Sequence, residues 1–169
     1  MARVARPVAI ALGSNLGDRE AHLRAAVASL AAILEGLTVS SFIETDPVQT
    51  PDPQARYLNA AATGTSSASP LDLLHTLQRI ETARGRTRPY RFAPRTLDLD
   101  LILCGDLVID TPELTLPHPR FRERDFVLGP LAEIAAGWRD PVTGRSIADL
   151  LAALSSAAAT RVRPDREGA

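Results

Sequence analysis

The chain has 169 residues, 45% hydrophobic and 4% aromatic, with a formal net charge of −1. That is the length of one domain with enough apolar mass for a core; it excludes a disordered chain and disfavours a basic protein that coats nucleic acid. Lysine is absent and all 19 Lys-or-Arg positions are arginine, so a P-loop lysine, a Schiff-base lysine and a kinase-type lysine are excluded.

Pro7 to Leu12 reads as a buried first strand, and its apolar run is too short for a signal peptide. It ends in the turn formers Gly13 to Asp18, with Asp18 near the N-cap of a helix over Arg19 to Leu34. Leu23, Ala26, Val27, Leu30, Ile33 and Leu34 form that helix's apolar stripe, and Gly36 is its expected stop. Leu37 to Glu44 reads as a second strand. The loop Thr45 to Arg56, stiffened by Pro47, Pro51 and Pro53, is long enough to suggest a functional role. Tyr57 to Thr65 reads as a third strand.

A second helix spans Pro70 to Arg84, capped by Ser69 with proline at its first position. Leu73, Leu77 and Ile80 face a core, with Gln78 and Glu81 on the adjacent stripe. After the arginine-rich loop 86–96, a fourth strand runs from Leu97 to Leu103, with Leu107 to Ile109 as a short extra strand. Phe126 to Ala136 looks partly helical, and Ser146 caps a last helix to Ala157. Residues 1–160 form a single domain in this reading, with 161–169 a polar, disordered tail. The order β-α-β-β-α-β predicts an α+β, ferredoxin-like fold: a four-stranded antiparallel sheet with covering helices. Cys104 stands alone, so no disulfide forms within the chain, and no stretch approaches the roughly 18 apolar residues of a membrane span. A cytoplasmic protein, with a monomer as the default, is the expectation.

The most informative stretch is RFAPRTLDLDLIL, Arg91 to Leu103. Leu97, Leu99 and Leu101 alternate with Asp98 and Asp100, so at strand period the leucines share one face and the aspartates the other. The two aspartates are about 6.6 Å apart at strand rise. At an effective dielectric near 20 their repulsion costs roughly 2.5 kcal/mol. A divalent cation turns that cost into attraction, and hard oxygen ligands on rigid backbone suit Mg²⁺. Arg86, Arg88, Arg91 and Arg95 just upstream suggest a polyphosphate held between metal and guanidinium groups. On its own, an alternating Leu/Asp strand is also a common half-exposed strand with a wet face.

This run resembles the signature of 6-hydroxymethyl-7,8-dihydropterin pyrophosphokinase, a folate-pathway enzyme family. The resemblance extends from Val8 to about Ile134 through ALGSNLGD (11–18), TDPV (45–48), YLNAA (57–61), TLQRIE (76–81), GRTRPYRFAPRTLDLD (85–100) and LPHPRFRERDFVLGPL (116–131), in that order. It implies transfer of pyrophosphate from ATP to the pterin's hydroxymethyl group, with release of AMP. It implies that Asp98 and Asp100 hold two Mg²⁺ ions and that Arg86 and Arg95 are catalytic. It implies ATP contacts at Gln78, Glu81, Arg88, Thr115, His118 and Arg124, and pterin contacts at Thr45, Asp46, Val48, Tyr57, Asn59, Phe92 and Phe126. Phe92 stands where other members often carry Trp, and Ala93 where Gly is common. Two competing readings are a non-catalytic ferredoxin-like nucleotide- or RNA-binding module, disfavoured by the charge and the few aromatics, and another Mg²⁺-dependent nucleotide transferase, which its products would distinguish.

Overall fold

The computed structural model of the protein describes residues 3–46, 55–85 and 95–167, with 158–167 as backbone. It is an α+β fold around an antiparallel sheet. In chain order the elements are β1 (Arg6–Ser14), α1 (Arg19–Ile33), β2 (Glu35–Val39), β3 (Ile43–Thr45), β4 (Tyr57–Ser66), α2 (Pro70–Ala83) and β5 (Asp98–Cys104). A small pair follows, β6 (Ile109–Asp110) with β7 (Thr115–Leu116), then a 3₁₀ turn at Phe121–Glu123, α3 (Asp125–Ala135) and α4 (Ile147–Glu167).

The sheet runs β2-β4-β1-β5, and β3 also pairs with β4. It therefore has five strands, not the expected four. The stretch read as one strand, Leu37 to Glu44, is two short strands on the same edge of β4. The cause is Ser40, which turns inward at the break. Its N–H donates to the Ala61 carbonyl at 2.9 Å, and its Oγ accepts from the Ala61 N–H at 2.8 Å. One serine thus completes the ladder with its side chain and leaves the backbone free to bend.

β1 has two unlike faces. Val8, Ile10 and Leu12 pack with Leu23, Leu30, Leu73 and Leu77 from α1 and α2. Ala9 packs on the opposite face with Phe121, Leu128, Leu131 and Ile147. The sheet is thus covered on both faces. Fully buried leucines such as Leu23 and Leu77 each contribute about 2 kcal/mol of transfer free energy. Asp18 and Ser69 cap α1 and α2 as expected, accepting from Ala21 N–H at 3.0 Å and Asp72 N–H at 3.2 Å. Gly36 does not stop α1; the helix ends at Ile33, and Gly36 lies in β2 with φ +62°. The last helix runs on past Ala157 to Glu167, across most of the stretch read as a disordered tail; the alanines at 157–159 favour that continuation.

β5 decides where the site can be. Its register on β1 shifts between Ala9 and Ile10, and Ile102 and Leu103 both join the α3/α4 core, while Leu99 and Leu101 join the other. The helices on that face cover the second half of β5 and leave the first half, with Asp98 and Asp100, only partly buried. A cleft opens there.

Candidate active site

Strand register brings residues far apart in the chain into rows across the cleft floor. Gly13 is paired on one side with Asn59 and on the other with Asp98. In the next row Ala11 is paired with Ala61 and with Asp100. The middle strand contributes only a hydrogen or a methyl group, so the floor is flat, with an amide on one side and two carboxylates on the other. At sheet spacing, Asn59 and Asp98 lie about 10 Å apart. A side chain at Gly13 would fill the gap: its Cβ would stand 3.0 Å from Asn59 Oδ1 and 3.5 Å from the Tyr57 ring.

The cleft has a volume of about 280 Å³ and is walled by Thr45, Asp46, Tyr57, Arg95, Arg124 and Phe126, with Arg120, Glu123 and Asp125 from the turn before α3. Asn59 is buried and donates from Nδ2 to Thr45 Oγ1. The Asp46 carboxylate points outward to Arg56 Nε at 3.2 Å. The Arg124 guanidinium lies 5.6 Å from the centroid of the Phe126 ring, so cation and aromatic face form one wall.

Arg95 is held twice. Its N–H donates to Asn15 Oδ1 at 2.8 Å, and its carbonyl accepts from the Asn15 N–H at 3.0 Å. Its Nη1 then donates to Asp98 Oδ2 at 2.9 Å, with both side chains largely buried. Burial alone would lower the Arg95 pKa, but Asp98, Tyr57, the hydrogen bond to Asp98 and Asp100 together raise it, so the guanidinium stays charged. In the sequence Asn15 stands among turn formers, in a loop that the resemblance places near the active site. Its role depends on a contact 80 residues away in sequence, which no local signal announces.

Gln78, Glu81, Thr115 and His118 are not among the cleft's lining residues. Gln78 is exposed on α2. Thr115 lies in β7, paired with Asp110. Glu81 is buried, and its Oε2 accepts from the Leu99 N–H at 2.8 Å. It therefore holds the edge strand from behind, at the residue between the two aspartates. His118 is tied to β5 by its N–H, which donates to the Ile102 carbonyl at 2.9 Å. Its Nδ1 accepts from the Arg120 N–H at 3.2 Å, so the neutral ring carries its proton on Nε2. Burial, with Arg124 and then Arg120 opposing the charge against a weaker pull from Asp98, pushes its pKa down to about 4. Arg86, Arg88, Val48 and Phe92 lie outside the described residues.

The donor chemistry fits a hard divalent cation. Two carboxylates face one cleft from a strand whose leucines are locked in the core. Among the described residues no group of three or more His, Cys, Asp or Glu comes together.

A family model, 7,8-dihydro-6-hydroxymethylpterin-pyrophosphokinase, matches residues 9–136. The chain belongs to this pyrophosphokinase family. It is 53% identical over 127 residues to the Bacillus subtilis 2-amino-4-hydroxy-6-hydroxymethyldihydropteridine pyrophosphokinase, covering 74% of this chain and 75% of that protein. It is 41% identical over 161 residues to the Synechocystis pyrophosphokinase of the same name, covering 94% of this chain and 81% of that one. Among solved structures, the wild-type Plasmodium falciparum HPPK-DHPS superposes with a TM-score of 0.72 at 13% identity. That match covers 96% of this chain and 46% of that one, so this pyrophosphokinase spans under half of the structure it resembles. Among the described residues no helix is long and apolar enough to cross a membrane.

Proposed function

We propose that the cleft binds ATP and 6-hydroxymethyl-7,8-dihydropterin side by side and transfers pyrophosphate from the first to the second. The products are AMP and the pterin diphosphate, and the step belongs to folate biosynthesis. Membership of the family supports the reaction. The observation that carries the site is the row Asn59, Gly13, Asp98: one flat floor with an amide reader at one side and paired carboxylates at the other. With β2 and β3 taken as halves of one strand, the scaffold is a ferredoxin-like βαββαβ core. The enzyme is read as a cytoplasmic monomer acting on small molecules, without nucleic acid or membrane.

The pterin is flat, and its edge is rich in donors and acceptors. Asn59, held by Thr45, reads that edge, while Tyr57 and Phe126 supply apolar faces beside it. Val48, Asp46 and Phe92 complete this side by resemblance. Asp98 and Asp100 would hold two Mg²⁺ ions, which when bound polarise the β-phosphoryl group and orient the attacking hydroxyl. Arg95 already has Nη1 on Asp98, and its buried Nε has no hydrogen-bond partner among the described residues. A phosphate oxygen supplies the acceptor that this fork is shaped to take. Arg124 faces the nucleotide from the wall it shares with Phe126, and Arg86 and Arg88 join it by resemblance, as do Gln78 and Thr115. Glu81 supports this side through Leu99, whose N–H donates to the Glu81 Oε2, and by resemblance it also belongs to the ATP side.

The chemistry is tested by mixing the protein with ATP, Mg²⁺ and the pterin and separating AMP from ADP. Pterin-dependent AMP together with a diphosphorylated pterin is the expected outcome. ADP would mean transfer of a single phosphoryl group, and no turnover in folded protein would leave a binding module.

The histidine gives a pH test. His118 is neutral at physiological pH, so it can donate from Nε2 but is not a base that turns on near neutrality. Its folded pKa lies below the ordinary value of 6.5, so the unfolded chain takes up the extra proton between about pH 6.5 and 4. Its contribution to stability is therefore complete above that window and is lost as pH falls through it. An NMR titration should place the His118 ring near pH 4. His118→Gln should flatten the acid side of a stability-versus-pH curve, and a ring titrating near 6.5 would refute the assignment.

A further inference from the structure

Beyond the residues matched by the family lies a carboxylate that the mechanism above does not use. Asp140 is completely buried. Its Oδ2 accepts from Arg122 Nε at 2.5 Å and from Thr143 Oγ1 at 2.8 Å, and its Oδ1 accepts from Arg122 Nη2 at 2.9 Å and from the Val142 N–H at 2.9 Å. The backbone around it is equally tied. The Asp140 N–H donates to the Arg145 carbonyl at 2.9 Å, and the Gly144 N–H donates to the Asp140 carbonyl at 2.8 Å. The result is a rigid hairpin-like turn leading into α4.

Arg122 stands on the other side of this pair, in the middle of the three-residue turn Phe121–Glu123. So short a 3₁₀ turn has little stability of its own, and it has no side-chain cap. It is fixed instead by Phe121, fully buried in the α3/α4 core, and by Arg122, whose guanidinium lies 4.9 Å from the Phe121 ring centroid and is forked onto Asp140. The residues flanking the turn, Arg120 and Arg124, line the cleft, as does Glu123 within it. Arg122 does not.

We propose that Asp140 is a positioning residue: through its two-pronged pair with Arg122 it fixes the turn that presents Arg124 and Arg120 to the nucleotide. The inference rests on the functional reading above for the identity of the ligand, and on the structure for the clasp. Burial would raise the Asp140 pKa, but the Arg122 hydrogen bond, the Val142 N–H and the Thr143 hydroxyl outweigh it and hold the carboxyl down at about 2. The pair therefore stays ionised throughout the working range of pH.

The test uses the full chain and the variants Asp140→Asn and Arg122→Lys. Asparagine keeps an acceptor for the turn but loses the charge; lysine keeps a charge but cannot fork. Steady-state KM and kcat are measured for both substrates, with calorimetric binding of a non-hydrolysable ATP analogue and a thermal melt. Both variants should raise the KM for ATP and the Kd of the analogue by about tenfold, with kcat within about threefold and the KM for the pterin nearly unchanged. A folded variant with unaltered nucleotide affinity overturns the proposal. So does a loss that appears only as less folded protein, with both KM values intact. Should Asp140→Asn fail to fold, Arg122→Lys decides by the same outcomes. Absence of pterin-dependent AMP in the unaltered protein would instead sink the functional reading, while the ratio of analogue affinities would still judge the clasp.

Discussion

Asp100→Ala is expected to lower turnover by about 10³-fold or more and to leave the fold intact, with Asp98→Ala as severe in rate. The reason is the division of labour along β5. Leu97, Leu99 and Leu101 are buried and supply its packing, while both aspartates point to the cleft. Removing one carboxylate also removes like-charge repulsion of roughly 2.5 kcal/mol at strand spacing, so the apo protein has little to lose. The two variants should differ in stability. Asp98 is the partner of Arg95 at 2.9 Å, and its loss leaves a largely buried guanidinium with one contact fewer. Asp98→Ala should therefore melt at a lower temperature than Asp100→Ala. Pterin-dependent AMP release and thermal melts read the two effects separately, and near-normal turnover in either variant would sink the metal assignment.

Arg95→Ala is expected to cost about 10²- to 10³-fold in kcat/KM, because pyrophosphoryl transfer depends on fixed positive charge where the phosphates gather charge. The backbone at this position should not move. Asn15 grips the N–H and the carbonyl of residue 95, and neither bond involves the side chain. The fold should therefore survive, with a penalty of about 1–3 kcal/mol for leaving Asp98 partly buried without its guanidinium. Arg95→Lys should recover only part of the activity, because an ammonium cannot serve Asp98 and a phosphate oxygen through one planar fork. Steady-state kinetics of the two variants beside circular dichroism provide the check. Equal activity of the lysine variant and the parent would show that charge alone, without the fork, is enough.

Some of this was legible in the chain itself. The alternation LDLDL placed two carboxylates opposite three leucines, and the structure keeps that division. Asp18 and Ser69 announced their helices, since a cap depends only on neighbours within a turn. Ser40 shows the opposite case. Its turn inward is stabilised by Ala61, so the split of one apparent strand into two could not be read from residues 37–44. Glu81 looked like a residue on an accessible helix stripe until β5 was laid against α2. Gly13 looked like a turn residue, yet it is a floor tile between Asn59 and Asp98.

What the sequence by itself determined was the inventory and the local geometry: no lysine for phosphate, a carboxylate pair on one strand face, arginines upstream, and an ordered set of motifs sufficient to name the family. These follow from side-chain chemistry and from periods of 2 and 3.6 residues, which act over a few residues. Only the tertiary structure decided which partners those groups meet. Antiparallel register set Asn59 beside Gly13 beside Asp98, Asn15 found Arg95, and Asp140 found Arg122. Such pairings are decided by burial and by the hydrogen bonds that buried groups must make, and those are properties of the packed whole.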